Sequence, residues 1–139
     1  MGVPLQSGPM TLFDLASRGM SAQLVRMNAA ASNLANAGSV ASSEDAAYRP
    51  IRAVFAQTMA QANGLSGVDV RGLVRENAPA IRQHLPDHPQ ADANGDVWTS
   101  PVDENAEMVE MLDASRQYQN LVEALSTAKQ LMLETMRMK

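Results

Sequence analysis

From Val102 to Lys139 the chain runs for 38 residues without a proline or a glycine. An uninterrupted stretch of this kind, with apolar residues at helical spacing, predicts one long helix over 102–139. Met108, Met111, Ser115, Tyr118, Val122, Leu125, Lys129, Met132 and Met136 step by three and four in turn, a heptad row interrupted at Ser115 and Lys129. Leu112, Leu121, Ala128 and Leu131 form a second row beside it. The combined apolar face is wider than a two-stranded seam needs, so it predicts more than one partner surface. Asp103, Glu104, Glu107, Glu110 and Asp113 precede the first base, Arg116, and Arg137 and Lys139 close the stretch. Acids at the start and bases at the end complement the helix dipole. At ~1.5 Å per residue the helix is roughly 55 Å long. A compact domain of 139 residues cannot bury the face of such an element. It must pack on another long helix of the same chain, on other chains, or on both.

A second amphipathic segment lies near the start. Thr11 and Asp14 have the spacing of a capping box, with Asp in place of the usual Glu. Phe13, Ala16, Met20, Gln23, Met27, Ala30 and Leu34 then step by three and four, which predicts a helix over 11–37 with Gly38 placed to stop it. Gly19 costs roughly 1 kcal/mol of helix propensity against alanine. It is either a tolerated defect or a point where a neighbouring helix comes close. Residues 1–10, with Gly2, Pro4, Gly8 and Pro9, are expected to be disordered or extended.

The middle, 38–101, differs in kind and holds five of the seven prolines: Pro50, Pro79, Pro86, Pro89 and Pro101. Ser39 to Ala47 reads as a small polar loop. Pro50 to Met59 and Gly67 to Arg75 alternate roughly, as short strands do, and Val97-Trp98 suits a further one. Asn63-Gly64 and Asn94-Gly95 are turn signals. Ala80 to Gln90, carrying prolines, is expected to be an extended connection. The fold class expected is therefore mainly α with a small β-rich middle. The long N- and C-terminal helices pack as a coiled coil, with an extended or β-hairpin insert between them.

Composition narrows the function. A net charge of −4 and no basic run argue against nucleic acid as a partner. The absence of cysteine excludes disulfides and thiolate chemistry. Aromatic residues are 4% of the chain, too few for a large globular core, whereas the 10 methionines suit adaptable packing between helices. No stretch reaches the ~20 apolar residues of a membrane-spanning helix. Met1 to Pro9 has neither a basic nor an apolar segment of a cleaved secretory signal. His84 and His88 are four apart, but Pro86 between them argues against an aligned metal pair. Asp92, Asn94, Asp96 and Asp103 imitate part of a calcium loop, yet Gly95 stands at its fourth position rather than its sixth. The acids from Asp103 to Asp113 are accounted for by helix-start electrostatics. Trp98 reads as a packing anchor. No catalytic, cofactor-binding or metal residue emerges, and neither does a small-molecule substrate.

Asn33 and Asn36 stand at the end of the first helix, where asparagine serves as a cap. The run Ser32-Asn33-Leu34-Ala35-Asn36-Ala37 also resembles a signature of the axial proteins of the bacterial flagellum, the rod and hook family. Gly19-Met20-Ser21-Ala22-Gln23 and Arg26-Met27-Asn28 fit the same pattern. So do Tyr48-Arg49, Asp92-Ala93-Asn94-Gly95, Val102-Asp103, Glu107-Met108-Val109, Met111, Ala114-Ser115-Arg116, Tyr118-Gln119 and Lys129. The insertion after Ser39-Val40 is more like proximal-rod members than distal rod or hook. Pro101 and Leu121 stand where the family often has asparagine.

The resemblance implies a structural subunit of the basal-body proximal rod, part of a drive shaft passing torque from motor to hook, and no enzyme. It implies terminal helices layered around the axis of a tube, with the middle facing outward. The partners it implies are copies of the chain and other rod proteins in a tubular helical assembly, reaching down to the membrane ring at the rod's base. Export would run through the flagellar type III apparatus to a rod spanning the periplasm. The residues then expected at subunit interfaces are Met20, Met27, Asn33, Leu34, Asn36, Met108, Met111, Tyr118, Val122, Leu125, Met132 and Met136. The rival expectation is a cytoplasmic helical secretion chaperone or adaptor, using the same helices in a discrete dimer.

Overall fold

The computed structural model describes residues 11–59 and 64–138, so the expected extended N-terminus and Asn63 lie outside the described residues. Helix α1 spans Leu12–Ala35, and α2 spans Glu104–Arg137. Between them come β1 (Val40–Ala41), β2 (Ile51–Met59), β3 (Ser66–Arg75), β4 (Ile81–His84) and β5 (Asp96–Thr99).

Local chemistry sets the helix ends. The Thr11 hydroxyl accepts the N–H of Asp14 at 3.1 Å, and the Asp14 carboxylate accepts the N–H of Thr11 at 3.2 Å, a reciprocal cap. The far end departs from expectation. Asn36 closes α1 with φ −108°, and among the described residues no non-glycine residue has a positive φ. Its side-chain N–H donates to the Ser32 carbonyl at 2.8 Å. Gly38 also lacks a positive φ. The amide side chain, not a left-handed residue, ends this helix. α2 starts at Glu104 rather than Val102 because Asp103 is its cap, accepting the N–H of Asn105 at 3.1 Å and of Ala106 at 3.3 Å.

The two helices pack antiparallel: Asn33 meets Glu107, Arg26 meets Glu110 and Asp113, and Gly19 meets Leu121. The buried residues of α1, toward α2 and toward the ribbon alike, are mostly small. Ala16, Ala22, Ala29 and Ala30 are all buried. A Cβ built on Gly19 would lie 3.1 Å from Leu121 Cδ1, so Gly19 marks a close approach of the helices. On α2 the buried or half-buried line is Glu107, Met111, Ala114, Tyr118, Leu121 and Leu125. Half of the first heptad row is thus displaced. Leu121, assigned to the second row, faces α1, while Met108 and Val122 of the first are 53% and 41% exposed.

β2 and β3 form an antiparallel ribbon, paired from Ile51 with Arg75 to Met59 with Ser66. Val54 pairs with Gly72 but Phe55 with Val70, so Arg71 is an extra residue, a bulge. The ribbon lies along α1 and is tied to it at both ends. At one end the Asn33 amide bonds the backbone of Ile51. At the other Arg18 Nη1 donates to both Asp69 carboxylate oxygens at 3.0 and 2.8 Å, and Thr58 Oγ1 donates to the same carboxylate at 2.7 Å. The lengths match: Arg18 to Asn33 is ~22 Å of helix, and Ile51 to Thr58 is ~23 Å of strand.

The second sheet has the order β1-β5-β4, with Val97 of β5 fully buried. The segment expected to be a plain extended connection thus contains a strand, Ile81–His84. All its residues are exposed, and pairing with β5 rather than any apolar pattern creates it. The Asn94-Gly95 turn forms as expected, with Gly95 at φ 78°. Asp92 Oδ1 accepts the N–H groups of Asn94 and Asp96 at 2.8 and 2.9 Å.

The contact at Gly19 yields a prediction. Gly19→Leu drives a side chain into Leu121 and should destabilise the chain by about 1–3 kcal/mol. Adding Leu121→Ala should recover part of that loss. Urea unfolding followed by circular dichroism reads both, and equal losses in the single and double variants would refute the close approach.

Candidate functional site

The most constrained chemistry in the chain lies where α1, β2 and α2 converge. Asn33 is fully buried, and its amide uses every position it has. Nδ2 donates to the Ile51 carbonyl at 3.0 Å and to Glu107 Oε2 at 3.1 Å. Oδ1 accepts the Ile51 N–H at 2.8 Å and the Tyr48 hydroxyl at 2.8 Å. The side chain therefore pairs with Ile51 as a neighbouring strand would. Tyr48 Oη also lies 3.1 Å from Ser32 Oγ, and the Arg75 guanidinium sits 5.3 Å above the Tyr48 ring.

Glu107 is 1% exposed, a carboxylate taken almost wholly out of water. Arg52 holds it with a two-pronged grip: Nη1 donates to Oε2 at 3.0 Å and Nη2 to Oε1. Arg52 Nε donates on to Glu76 at 2.7 Å. The hydrogen bond to Glu107 raises the Arg52 pKa, and burial opposes it, so the guanidinium stays charged at every accessible pH. A neighbouring fork repeats the pattern. Arg26 donates to Glu110 at 2.8 Å and Asp113 at 2.9 Å, and its pKa too is raised, first by the bond to Glu110. Glu107, Glu110 and Asp113 were explained in the sequence by helix-start electrostatics. The structure gives them a further use as the tethers of α2. One signal of this was present: Glu107 falls in phase with the apolar line Met111, Ala114, Tyr118 and Leu121.

The remaining expected interface residues fall into three groups. Met111, Tyr118 and Leu125 are half-buried on the α1-facing line of α2. Met20, Met27 and Leu34 are half-buried on α1. Met108, Val122, Met132 and Met136 are exposed, as are Leu112, Leu131 and Leu133. Asn33 has no amide position left for a neighbour, and half-buried Asn36 bonds its own helix.

Helical phase arranges these groups. At ~100° per residue, Met20, Met27 and Leu34 fall about half a turn from the line through Arg18, Ala22, Ala29 and Ser32 that faces the ribbon. On α2, Glu110 and Asp113 lie on one side of the α1-facing line, and Met108, Leu112 and Val122 lie on the other. In an antiparallel pair of right-handed helices this second row shares a side with Met20 and Met27. The helix pair thus has the ribbon on one side and an apolar, methionine-rich surface on the opposite side. From the register of Gly19 with Leu121, the last turns of α2 run past Leu12, the first residue of α1, and every residue there is exposed.

Among the described residues no group of three or more His, Cys, Asp or Glu is placed to hold a metal ion, and no helix is long and apolar enough to cross a membrane. His84 Nδ1 lies 3.0 Å from Asp96 Oδ1, and His88 Nδ1 accepts the N–H of Gln90.

Comparison with known proteins adds an independent line. Residues 13–38 match the family described as flagella basal body rod protein, and residues 93–138 match the flagellar basal body rod FlgEFG protein C-terminal family. The chain is 41% identical over 127 residues to the flagellar basal-body rod protein FlgC of Salmonella typhimurium, covering 91% of this chain and 95% of that one. It is 40% identical over 127 residues to FlgC of Yersinia enterocolitica, with the same coverage. With FlgC of Buchnera aphidicola from Acyrthosiphon pisum it shares 31% over 129 residues, again 91% and 95% of the two chains. The two matched segments contain Asn33 and Glu107, on opposite sides of the buried junction.

The junction predicts unequal effects of its two asparagines. Asn33→Ala removes four hydrogen bonds at once, two from the Ile51 backbone and one each from Tyr48 and Glu107, which keep Ser32 and Arg52, and should cost about 1–3 kcal/mol for each buried group left unsatisfied. Asn36→Ala loses one half-buried cap and should cost about 1 kcal/mol. Thermal unfolding of the two variants checks the order, and equal midpoints would show that Asn33 is only a helix-end residue.

Proposed function

This chain belongs to the flagellar basal-body rod protein family, being FlgC-like over most of its length, and from that premise we propose a place for it in the proximal rod. It is a structural subunit of the basal-body rod and not an enzyme, and it assembles with copies of itself and with other rod components. In the proximal rod it carries torque from motor to hook. Its helices line the inside of a tube as a coiled-coil layer, and the β-rich middle faces outward. It reaches the periplasm through the flagellar type III export apparatus. Near its base the assembly meets the membrane ring.

The observation that best supports this reading is the apolar side of the helix pair. Met20, Met27, Leu34, Met108 and Val122, all expected at subunit contacts, fall on that one side, where Leu112 is 67% exposed. A surface of this composition is stable in water only when neighbours cover it. Met132 and Met136 extend the same need along the last turns of α2. Met111, Tyr118 and Leu125 support the contact from beneath by fixing α2 on α1. Asn33 and Asn36 act through the shape of the subunit rather than by direct bonds to a neighbour. No observation favours the secretion-chaperone reading.

Two substitutions separate surface from seam. Val122→Asp places a charge on the exposed row and should leave the thermal midpoint near wild type while abolishing swimming. Leu125→Asp places it on the α1-facing line, where an unpaired buried charge costs several kcal/mol. It should lower the midpoint as well. The readouts are circular dichroism, swimming in soft agar and immunoblots of purified hook–basal bodies. Absence of the wild-type chain from those preparations would refute the proposed role, and normal swimming of Val122→Asp would refute the surface.

A further inference from the structure

The ribbon has a second face. Pairing places Arg52, Ala56 and Thr58 with Asp69 and Gly67 toward the helices, as the bonds of Arg52 to Glu107 and of Asp69 to Arg18 require. Strand alternation then turns Ala53, Phe55, Val68, Val70 and Leu73 outward. Three of them are open to solvent, Phe55 at 38%, Val68 at 42% and Leu73 at 55% exposure, and Ala53 and Val70 are half-buried between them. The chain has two phenylalanines, and one of them stands here in solvent. The subunit thus carries two uncovered apolar surfaces on opposite sides, the outer ribbon face and the Met108–Leu112–Val122 side of the helix pair. Both margins carry charge. Arg71 and Arg75 border the ribbon patch, Arg75 with its guanidinium on Tyr48 and the Arg49 carbonyl. Glu104 and Glu123 bracket the row on α2 with Arg116 between them, and no ion pair within the described residues engages either acid.

We infer that copies of this chain associate head to tail, with the outer ribbon face of one copy seated on the Met108–Leu112–Val122 side of the next. The occupant is a second copy because one chain supplies both halves of the contact, apolar against apolar, with the free acids Glu104 and Glu123 on one half and Arg71 on the other. Two different patches in contact form a heterologous interface, which leaves a free patch at each end and keeps adding subunits. A two-fold dimer would instead join like to like. This contact rests on the rod-subunit reading and gives it an interface.

The chain has no cysteine, so a cross-linking test starts from a clean background. Full-length Phe55→Cys and Leu112→Cys chains, distinguishable by tags, are co-expressed in a strain lacking the native protein. Hook–basal bodies are purified, immunoblotted for both tags and treated with a short bis-maleimide. The expected product is a dimer carrying both tags. A chain bearing both substitutions should give bands beyond the dimer. Assembled rods with no mixed product, or products only within one tagged chain, overturn the inference. Val68→Cys with Met108→Cys serves as an independent pair, judged by the same outcomes, should a first-pair variant fail to assemble. Absence of even the wild-type chain from the preparation overturns the rod reading beneath it, and the immunoblot shows this before any cross-linker is added.

Discussion

A single carboxylate, Glu107, holds three elements of this subunit in one arrangement. It projects from α2, receives the Asn33 amide from α1 and is gripped by Arg52 from β2. The apolar contacts around it are slight. The buried residues of α1 are four alanines and Asn33, and those of α2 are Ala114 and Glu107 itself. Alanine buries little area, so it brings backbones close without fixing which residues meet. The polar junction supplies that choice. A buried ion pair adds little net stability over an apolar substitute, but removing one partner leaves a charge stranded. Register and angle between helices and ribbon are therefore set by groups that tolerate only one arrangement.

What the sequence disclosed and what it hid follow from the range of each interaction. Thr11 and Asp14 lie three residues apart and bond each other, so the start of α1 was legible. The alternating runs around Ile51–Met59 and Ser66–Arg75 announced the ribbon, and the proline-free end announced α2. The phase of α2 was not legible. The expected row of Met108, Met111, Ser115, Tyr118, Val122 and Leu125 and the observed line of Glu107, Met111, Ala114, Tyr118, Leu121 and Leu125 share every second member. A wide apolar face fits either, and neither a glutamate nor a small alanine declares itself as inward. β4 was hidden because its partner, β5, alone makes it a strand. The functions of Asn33 and Asn36 differ although their local signals are alike, since Asn33's partners Ile51 and Glu107 lie 18 and 74 residues away.

The methionines carry a related lesson. Met20, Met27, Met108, Met132 and Met136 stand at or beside exposed surface, not in a core. An unbranched thioether adapts to differently shaped neighbours at modest loss. A rod subunit that assembles with copies of itself and with other rod components presents one surface to unlike partners. A rigid interior with adaptable margins suits that position.

The ribbon's attachment at two points gives the helix a splint. A rod in bending loads one side in tension, and a member of equal length fastened at both ends shares that load. The two fastenings are not alike. Asn33 with Ile51 is dry and fully bonded, whereas Arg18 and Asp69 are 40% and 44% open to water. Solvent and dissolved ions weaken the second far more than the first. Of the two fastenings, the Arg18–Asp69 end is therefore the weaker under load, and the junction at Asn33 that sets the subunit's shape is the stronger.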